Sequence, residues 1–136
     1  MKKILLGLAA LFLVVLSGGW YYVFQYSKTH HRNVADENAL VVSAARIVKD
    51  YEANEKSANA RYLNKAIEIK GVVLKKEKDQ EGDITLTLKS GDPFANVFCT
   101  LKPGSKPRMH DSTIMVKGVC TGFLSDVVLN EAIVVK

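Results

Sequence analysis

The stretch "YLNKAIEIKGVVLKK", residues 62–76, decides the fold. Ile67, Ile69 and Val73 alternate with other residues in the pattern of a β-strand that buries one face. Gly71 lies inside this strand, where glycine marks a bulge, a sharp bend or a close backbone contact. The stretch "STIMVKGVC", which ends at Cys120, repeats the arrangement with Gly118. Two bent strands in so short a chain indicate a strongly coiled sheet.

Three more segments carry strand patterns. Apolar and polar residues alternate through "DITLTLKSG" (83–91), and "ANVFCTL" (95–101) and "DVVLNEAIVVK" (126–136) are also predicted strands. The last of them is expected to be irregular around Asn130 and Glu131. The sequence therefore predicts five strands, most of which are connected in antiparallel fashion.

A helix is predicted before the strands, with Asp36 as its N-cap and its end between Ala53 and Glu55. One apolar stripe runs along it at helical spacing: Leu40, Ala44, Ile47, Val48 and Tyr51. The stripe is expected to pack on the sheet, and docking onto a partner is the alternative. A further turn after this helix is expected to bring Ala58 and Tyr62 toward the sheet.

A short five-stranded sheet cannot bury a core while it is flat, and closure into a barrel removes its edges. The sequence therefore predicts a mainly β fold over residues 36–136, a five-stranded OB-fold-like Greek-key barrel with an N-terminal helix. The first and fourth strands are neighbours in that fold. Gly71 and Gly118 lie in those two strands, so they are expected to serve barrel closure.

The N-terminal segment contains no charged residue from position 4 to position 24. At roughly 1.5 Å per residue it is long enough for a ~30 Å hydrocarbon core. Lys2 and Lys3 supply the positive flank that stays cytoplasmic. Residues 1–25 are therefore predicted to be a transmembrane anchor or signal segment, and residues 26–35 a polar tether.

Two fates of this segment remain open. The small residues "SGG" (17–19) would suit cleavage of a signal peptide, which would remove residues 1–19 and release a secreted domain. The aromatic residues "WYY" (20–22) suit the headgroup layer of an uncleaved anchor, which the sequence favours. The globular part is then anchored to the inner membrane and exported to the periplasm.

The residues outside the anchor resemble those of the tRNA_anti-like family, bacterial envelope proteins with an OB-fold. The resemblance covers about residues 36–135 and rests on these positions: Asn54, Glu55, Ala58, Tyr62, Lys65, Gly71, Cys99, Gly118, Cys120 and Gly122. The chain departs from the pattern at Ala132, where members often carry another cysteine. The resemblance implies the fold and no common activity.

The two cysteines, Cys99 and Cys120, both fall on inward-facing strand positions. A disulfide between them is a candidate in an oxidising compartment. It would stabilise the domain by roughly 3 kcal/mol in the chain-entropy model. The alternative is a pair of buried free thiols.

No enzyme, cofactor or metal site is predicted. The sequence lacks a nucleophile elbow, a P-loop, an HExxH motif and a dinucleotide fingerprint. His30 and His31 are adjacent in the tether without a third ligand nearby, and His110 lies in a proline-rich loop.

The candidate ligand-binding face follows from the predicted fold, because OB-folds bind extended ligands on strands two and three. The loops 79–83 and 122–126 would flank it. Its residues would be Thr85, Thr87, Lys89, Asn96, Phe98 and Thr100. Phe98 is its one aromatic residue and the charges along the chain are mixed, so the face does not favour nucleic acid.

These observations predict a non-enzymatic, membrane-tethered OB-fold module in the bacterial envelope. Residues 4–24 would contact the membrane, and the partner would be an envelope protein, a peptide or a glycan. One alternative is a structural spacer that assembles with membrane proteins through its anchor and helix. Another is binding of single-stranded nucleic acid, which predicts a steep dependence of affinity on salt.

Overall fold

A computed structural model describes residues 1–26, 32–107 and 112–135. The chain divides into two compact units, Met1–Arg32 and Asn33–Lys136. The second unit includes residues 33–35, which the sequence analysis placed in the tether. His30, His31 and His110 lie outside the described residues.

The first unit is a single apolar helix. Helix α1 spans Lys2–Tyr21 and continues as a π-helix over Tyr22–Tyr26. Over Lys2–Gln25 it is long and apolar enough to cross a membrane, a property that N-terminal signal sequences share. Its 24 residues extend about 36 Å at 1.5 Å per residue.

The second unit begins with a segment that the sequence assigned to a helix. The prediction that Asp36 caps a helix was wrong, because Val34–Asp36 is a short 3₁₀ helix and Leu40–Ser43 is strand β1. Val34 is buried. The Lys117 ammonium donates hydrogen bonds to the backbone carbonyls of Ala35 (2.9 Å) and Glu37. The chain preceding β1 is thereby fixed to the barrel.

Two short helices follow β1. Helix α2 spans Ala44–Ala53, and Ser43 caps it by accepting a hydrogen bond from the Arg46 backbone N–H at 3.2 Å. Helix α3 spans Glu55–Tyr62, and Asn54 is its N-cap. Four of the five residues of the predicted stripe pack into the core from α2: Ala44, Ile47, Val48 and Tyr51. The assignment of the fifth, Leu40, to this helix was wrong, because Leu40 lies in β1 and is 43% exposed. Ala58 and Tyr62 are buried from α3.

The other five strands close into a barrel. Their bounds are β2 Ala66–Lys78, β3 Ile84–Lys89, β4 Val97–Leu101, β5 Thr113–Phe123 and β6 Val127–Val134. The order is β1-β2-β3-β4-β6-β5, and a further pairing of β2 with β5 closes the ring. β4 and β6 are parallel, β1 adds to β2 in parallel, and the other pairs are antiparallel. The predicted OB-fold and the contact between its first and fourth strands, here β2 and β5, are confirmed.

Both glycines of the opening stretches lie where neighbouring atoms leave little room for a side chain. A Cβ at Gly71 would lie 3.1 Å from Leu88 Cβ and 3.3 Å from Ala44 Cβ. A Cβ at Gly118 would lie 3.0 Å from Ala132 Cβ. Opposite Gly118 the register of β5 and β6 shifts, and Glu131 has a φ of 51°. The irregularity predicted in the last strand is therefore confirmed.

Candidate binding face

The residues predicted to bind a ligand come together on the outer surface of β3 and β4. Thr85 pairs with Thr100, and Thr87 pairs with Phe98. Residues that oppose each other across an antiparallel pair point to the same side of the sheet. Thr87, Phe98 and Thr100 are half-buried and Lys89 is exposed, whereas Thr85 is only 6% exposed. Thr85 is therefore the least accessible member of the face.

Asn96 lies at the edge of the face and is used by the fold. Its side-chain carbonyl accepts a hydrogen bond from the Ser90 backbone N–H at 3.3 Å. Its backbone N–H donates to Asp126 Oδ1 at 2.8 Å, and its backbone carbonyl accepts from Val127 N–H at 3.0 Å. Asn96 thus joins the loop before β4 to the loop before β6.

The face extends to strands that the sequence prediction did not include. Lys75 of β2 lies opposite Thr87, and Val128 of β6 lies opposite Phe98. Glu77 lies opposite Thr85 and forms an ion pair with Lys75, with 2.8 Å between Nζ and Oε1. Strict alternation from Val73 would point Lys75 inward. A register shift between Val73 and Lys75 turns Lys75 outward instead. The sequence contains no pattern that predicts this shift.

The two loops expected to flank the face are ordered by local hydrogen bonds. Asp79 Oδ1 accepts from the backbone N–H groups of Glu81 (3.0 Å) and Asp83 (2.9 Å). In the other loop the Leu124 backbone N–H donates to the carbonyl of Asp126 at 3.1 Å. Both ends of the face are therefore held in defined conformations.

The candidate disulfide is not formed. Cys99 and Cys120 are both fully buried free thiols. Each lies opposite Leu129, Cys99 from β4 and Cys120 from β5, so strand β6 separates them. Two strand spacings place their Cα atoms about 9–10 Å apart, beyond the roughly 7 Å that a disulfide spans. Burial raises the pKa of the Cys99 thiol to about 12, so this thiol stays protonated.

A polar cluster joins α2 and α3. The Tyr62 hydroxyl donates to Asp50 Oδ2 at 2.6 Å. Arg46 Nε lies 3.0 Å from Asp50 Oδ1, and an Arg61 nitrogen lies 3.4 Å from Asp50 Oδ2. The Tyr62 hydrogen bond is the largest cause that holds the pKa of the Asp50 carboxyl below its ordinary value, and the arginines add to it. The Asp50 carboxylate of α2 therefore links to α3 through Tyr62 and Arg61.

A cavity of about 170 Å³ lies beside this cluster, lined by Asp50, Ala53, Asn54, Ser57, Ala58 and Arg61. Asn54 Oδ1 faces α3 as its cap, accepting from the Ser57 N–H at 3.0 Å. Asp50, Asn54 and Arg61 thus have partners within the two helices. Beneath them, the Tyr51 ring stacks on Phe123 at 5.5 Å, and its hydroxyl lies 3.4 Å from Cys120 Sγ. Burial raises the pKa of Tyr51, which suits a core residue.

Among the described residues, no group of three or more histidine, cysteine or carboxylate side chains is arranged to hold a metal ion.

The model of the tRNA_anti-like family matches residues 1–133. The chain belongs to the tRNA_anti-like family. It is also similar in structure to a lipoprotein from Klebsiella pneumoniae subsp. pneumoniae, for which nucleic-acid binding is a candidate function. The alignment covers 79% of this chain and 100% of that chain, with a TM-score of 0.57 and 15% sequence identity. At this identity the likeness shows the fold alone. No curated protein matches the sequence.

Ala132, where family members often carry a cysteine, is closely packed in this tRNA_anti-like protein. Ala132 is fully buried, and its Cβ lies 3.0 Å from where a Gly118 Cβ would be. A small residue on one strand therefore faces a glycine on the other. Three residues that carry the family resemblance stabilise α3. Asn54 is its N-cap, and Ala58 and Tyr62 are its buried residues.

Proposed function

We propose that this tRNA_anti-like protein is a non-enzymatic, membrane-tethered binding module of the bacterial envelope. It binds an extended peptide segment of a protein partner across the outer surface of β3 and β4. The observation that carries the proposal is one row of side chains across four strands: Lys75, Thr87, Phe98 and Val128. We call these residues the binding row.

The chemistry of the binding row suits a peptide. Lys75 and Thr87 offer a cation and a hydroxyl, while Phe98 and Val128 offer apolar surface. An extended peptide lying across the strands can meet both kinds of group. Because the pairing of β2 with β5 closes the barrel, recognition at this face uses side chains rather than addition of a strand to an open edge.

Site-specific photocrosslinking of the full chain in living bacteria tests the proposal. A photoreactive amino acid replaces Thr87 or Phe98, and the matched control places it at Lys49, on the exposed side of α2. We expect the same protein to crosslink from positions 87 and 98 but not from position 49. Equal crosslinking from all three positions, or none from the face, would overturn the proposal.

Binding of single-stranded nucleic acid is the second candidate. It is favoured by the candidate function of the Klebsiella lipoprotein and by Phe98, on which a base could stack, with Lys75 of β2 and Lys89 of β3 as cations on the same face. The test is the anisotropy of a labelled 12-nucleotide oligothymidine with the full chain in detergent. Binding that weakens steeply with salt and is lost in Phe98→Ala would support this candidate over peptide binding.

A further inference from the structure

One end of the barrel exposes large apolar side chains on adjoining loops. Phe94, between β3 and β4, is 88% exposed, and Leu124, between β5 and β6, is 87% exposed. β4 and β6 run parallel, and Val97 of β4 lies opposite Val127 of β6. Phe94 lies three positions before Val97, and Leu124 lies three positions before Val127. The hydrogen bond from Asn96 N–H to Asp126 holds the two loops together. We call Phe94 and Leu124 the apolar tips.

The backbone around the tips is fixed by hydrogen bonds. Asp92 Oδ1 accepts from the N–H groups of Phe94 (2.7 Å) and of Ala95 (3.0 Å), and Ala95 is buried. The Ser90 hydroxyl accepts from Asp92 N–H at 2.9 Å. The loop therefore holds Phe94 outward in a defined conformation. A preordered apolar group loses less conformational entropy when it binds.

We propose that the apolar tips insert into the interfacial layer of a lipid bilayer. The proposal rests on the membrane tether of the proposed function. The exposed area favours lipid over a protein partner, because an aromatic side chain buries about 150–250 Å². Two tips therefore fall well below the roughly 800 Å² that each partner contributes to a stable protein interface.

The membrane anchor also explains why so small an apolar surface is enough for binding to the bilayer. A single weak membrane signal gives marginal, reversible binding, whereas two signals together give stable attachment. The Lys2–Gln25 helix, long and apolar enough to cross a membrane, would be the first signal. The bilayer would then be present at high effective concentration, so weak insertion of the tips would be populated.

The test places a fluorescent NBD probe on Ser125→Cys, which leaves both tips intact, in the full chain reconstituted in phosphatidylcholine vesicles. The control probe is on Gln80→Cys, in the exposed hairpin loop beyond the other end of β3. Cys99 and Cys120 are fully buried and should not compete for the label. With nitroxide-labelled phosphatidylcholine present, we expect at least two-fold stronger quenching at position 125 than at position 80. The Phe94→Ser, Leu124→Ser double variant should remove the difference.

Equal quenching at the two positions, or a difference that survives the double variant, would overturn the inference. A probe response that depends on the protein-to-lipid ratio and not on nitroxide lipid would identify a second copy as the occupant, and would also overturn it. Trp20, the only tryptophan, reports on the anchor separately through its own quenching in unlabelled protein. An unquenched Trp20 would refute the membrane anchor and this inference together. A quenched Trp20 with equal probe quenching would refute the inference alone.

Discussion

At Gly118 the surrounding atoms leave little room for a side chain. A Cβ would lie 3.0 Å from Ala132 Cβ and 3.1 Å from the carbonyl oxygen of Asn130. Asn130 lies beside the register shift of β6, so its carbonyl cannot move without disturbing the pairing with β5. Gly71 has close neighbours too, but they are side-chain atoms of Leu88 and Ala44. Gly118 is therefore the more demanding of the two positions.

We predict that Gly118→Ala lowers the free energy of unfolding by about 1–3 kcal/mol, the usual cost of overpacking. Urea unfolding of residues 33–136, followed by circular dichroism, measures the change. In an Ala132→Gly background the cost should fall, because the closest contact, with Ala132 Cβ, is removed. An unchanged unfolding midpoint in Gly118→Ala would contradict the steric argument.

The cysteines show what residue parity can and cannot predict. Alternation correctly places Cys99 and Cys120 inside the barrel, where both are fully buried. Parity does not say which strands are neighbours, and the insertion of β6 between β4 and β5 keeps the thiols apart. Of the two alternatives that the sequence left open, the structure has the buried free thiols, because strand order, which no local pattern carries, separates them.

At the scale of elements, the Asp50–Tyr62 hydrogen bond joins α2 to α3. We predict that Tyr62→Phe lowers stability by roughly 1–2 kcal/mol at neutral pH, because the bond is to a charged acceptor. The pKa of Asp50 is lowered in the folded state, so this stabilisation is present above the ordinary carboxyl value of 3.8 and is lost as pH falls through the lowered pKa.

Urea unfolding at pH 7 and at pH 3 measures this effect. The difference between the wild type and Tyr62→Phe should shrink at the lower pH. Arg61→Gln is the control, since its longer contact and 58% exposed side chain predict a much smaller effect at either pH. A Tyr62→Phe effect that is the same at both pH values would contradict the argument that the charge of the Asp50 carboxylate strengthens this hydrogen bond.

The start of α2 shows why element boundaries were harder to predict than element types. The buried stripe from Ala44 to Tyr51 identified the helix correctly. Leu40 also fits helical spacing, but Leu40–Ser43 instead pairs with Ile67–Lys70 of β2. Helical spacing and strand pairing are both compatible with "LVVS", and only the available edge of β2 decides between them.

At the scale of the whole molecule, the closed barrel follows from the sequence, since strand periods and the two glycines all require a coiled sheet. The full binding row did not follow. Lys75 faces outward only because of the register shift after Val73, and Val128 joins the row only through the parallel pairing of β4 with β6. Both depend on long-range register, which the closure of the barrel sets.

The N-terminal helix leads to the last prediction. "WYY" continues the apolar run past the "SGG" site, so we expect an uncleaved anchor. When the chain is produced in bacteria, its mass should include residues 1–19, and alkaline carbonate should not extract it from membranes. A chain beginning at Asn33 is the matched control and should be soluble. A mature protein that begins at Trp20 and is released with the periplasmic fraction would refute the membrane anchor and identify a signal peptide.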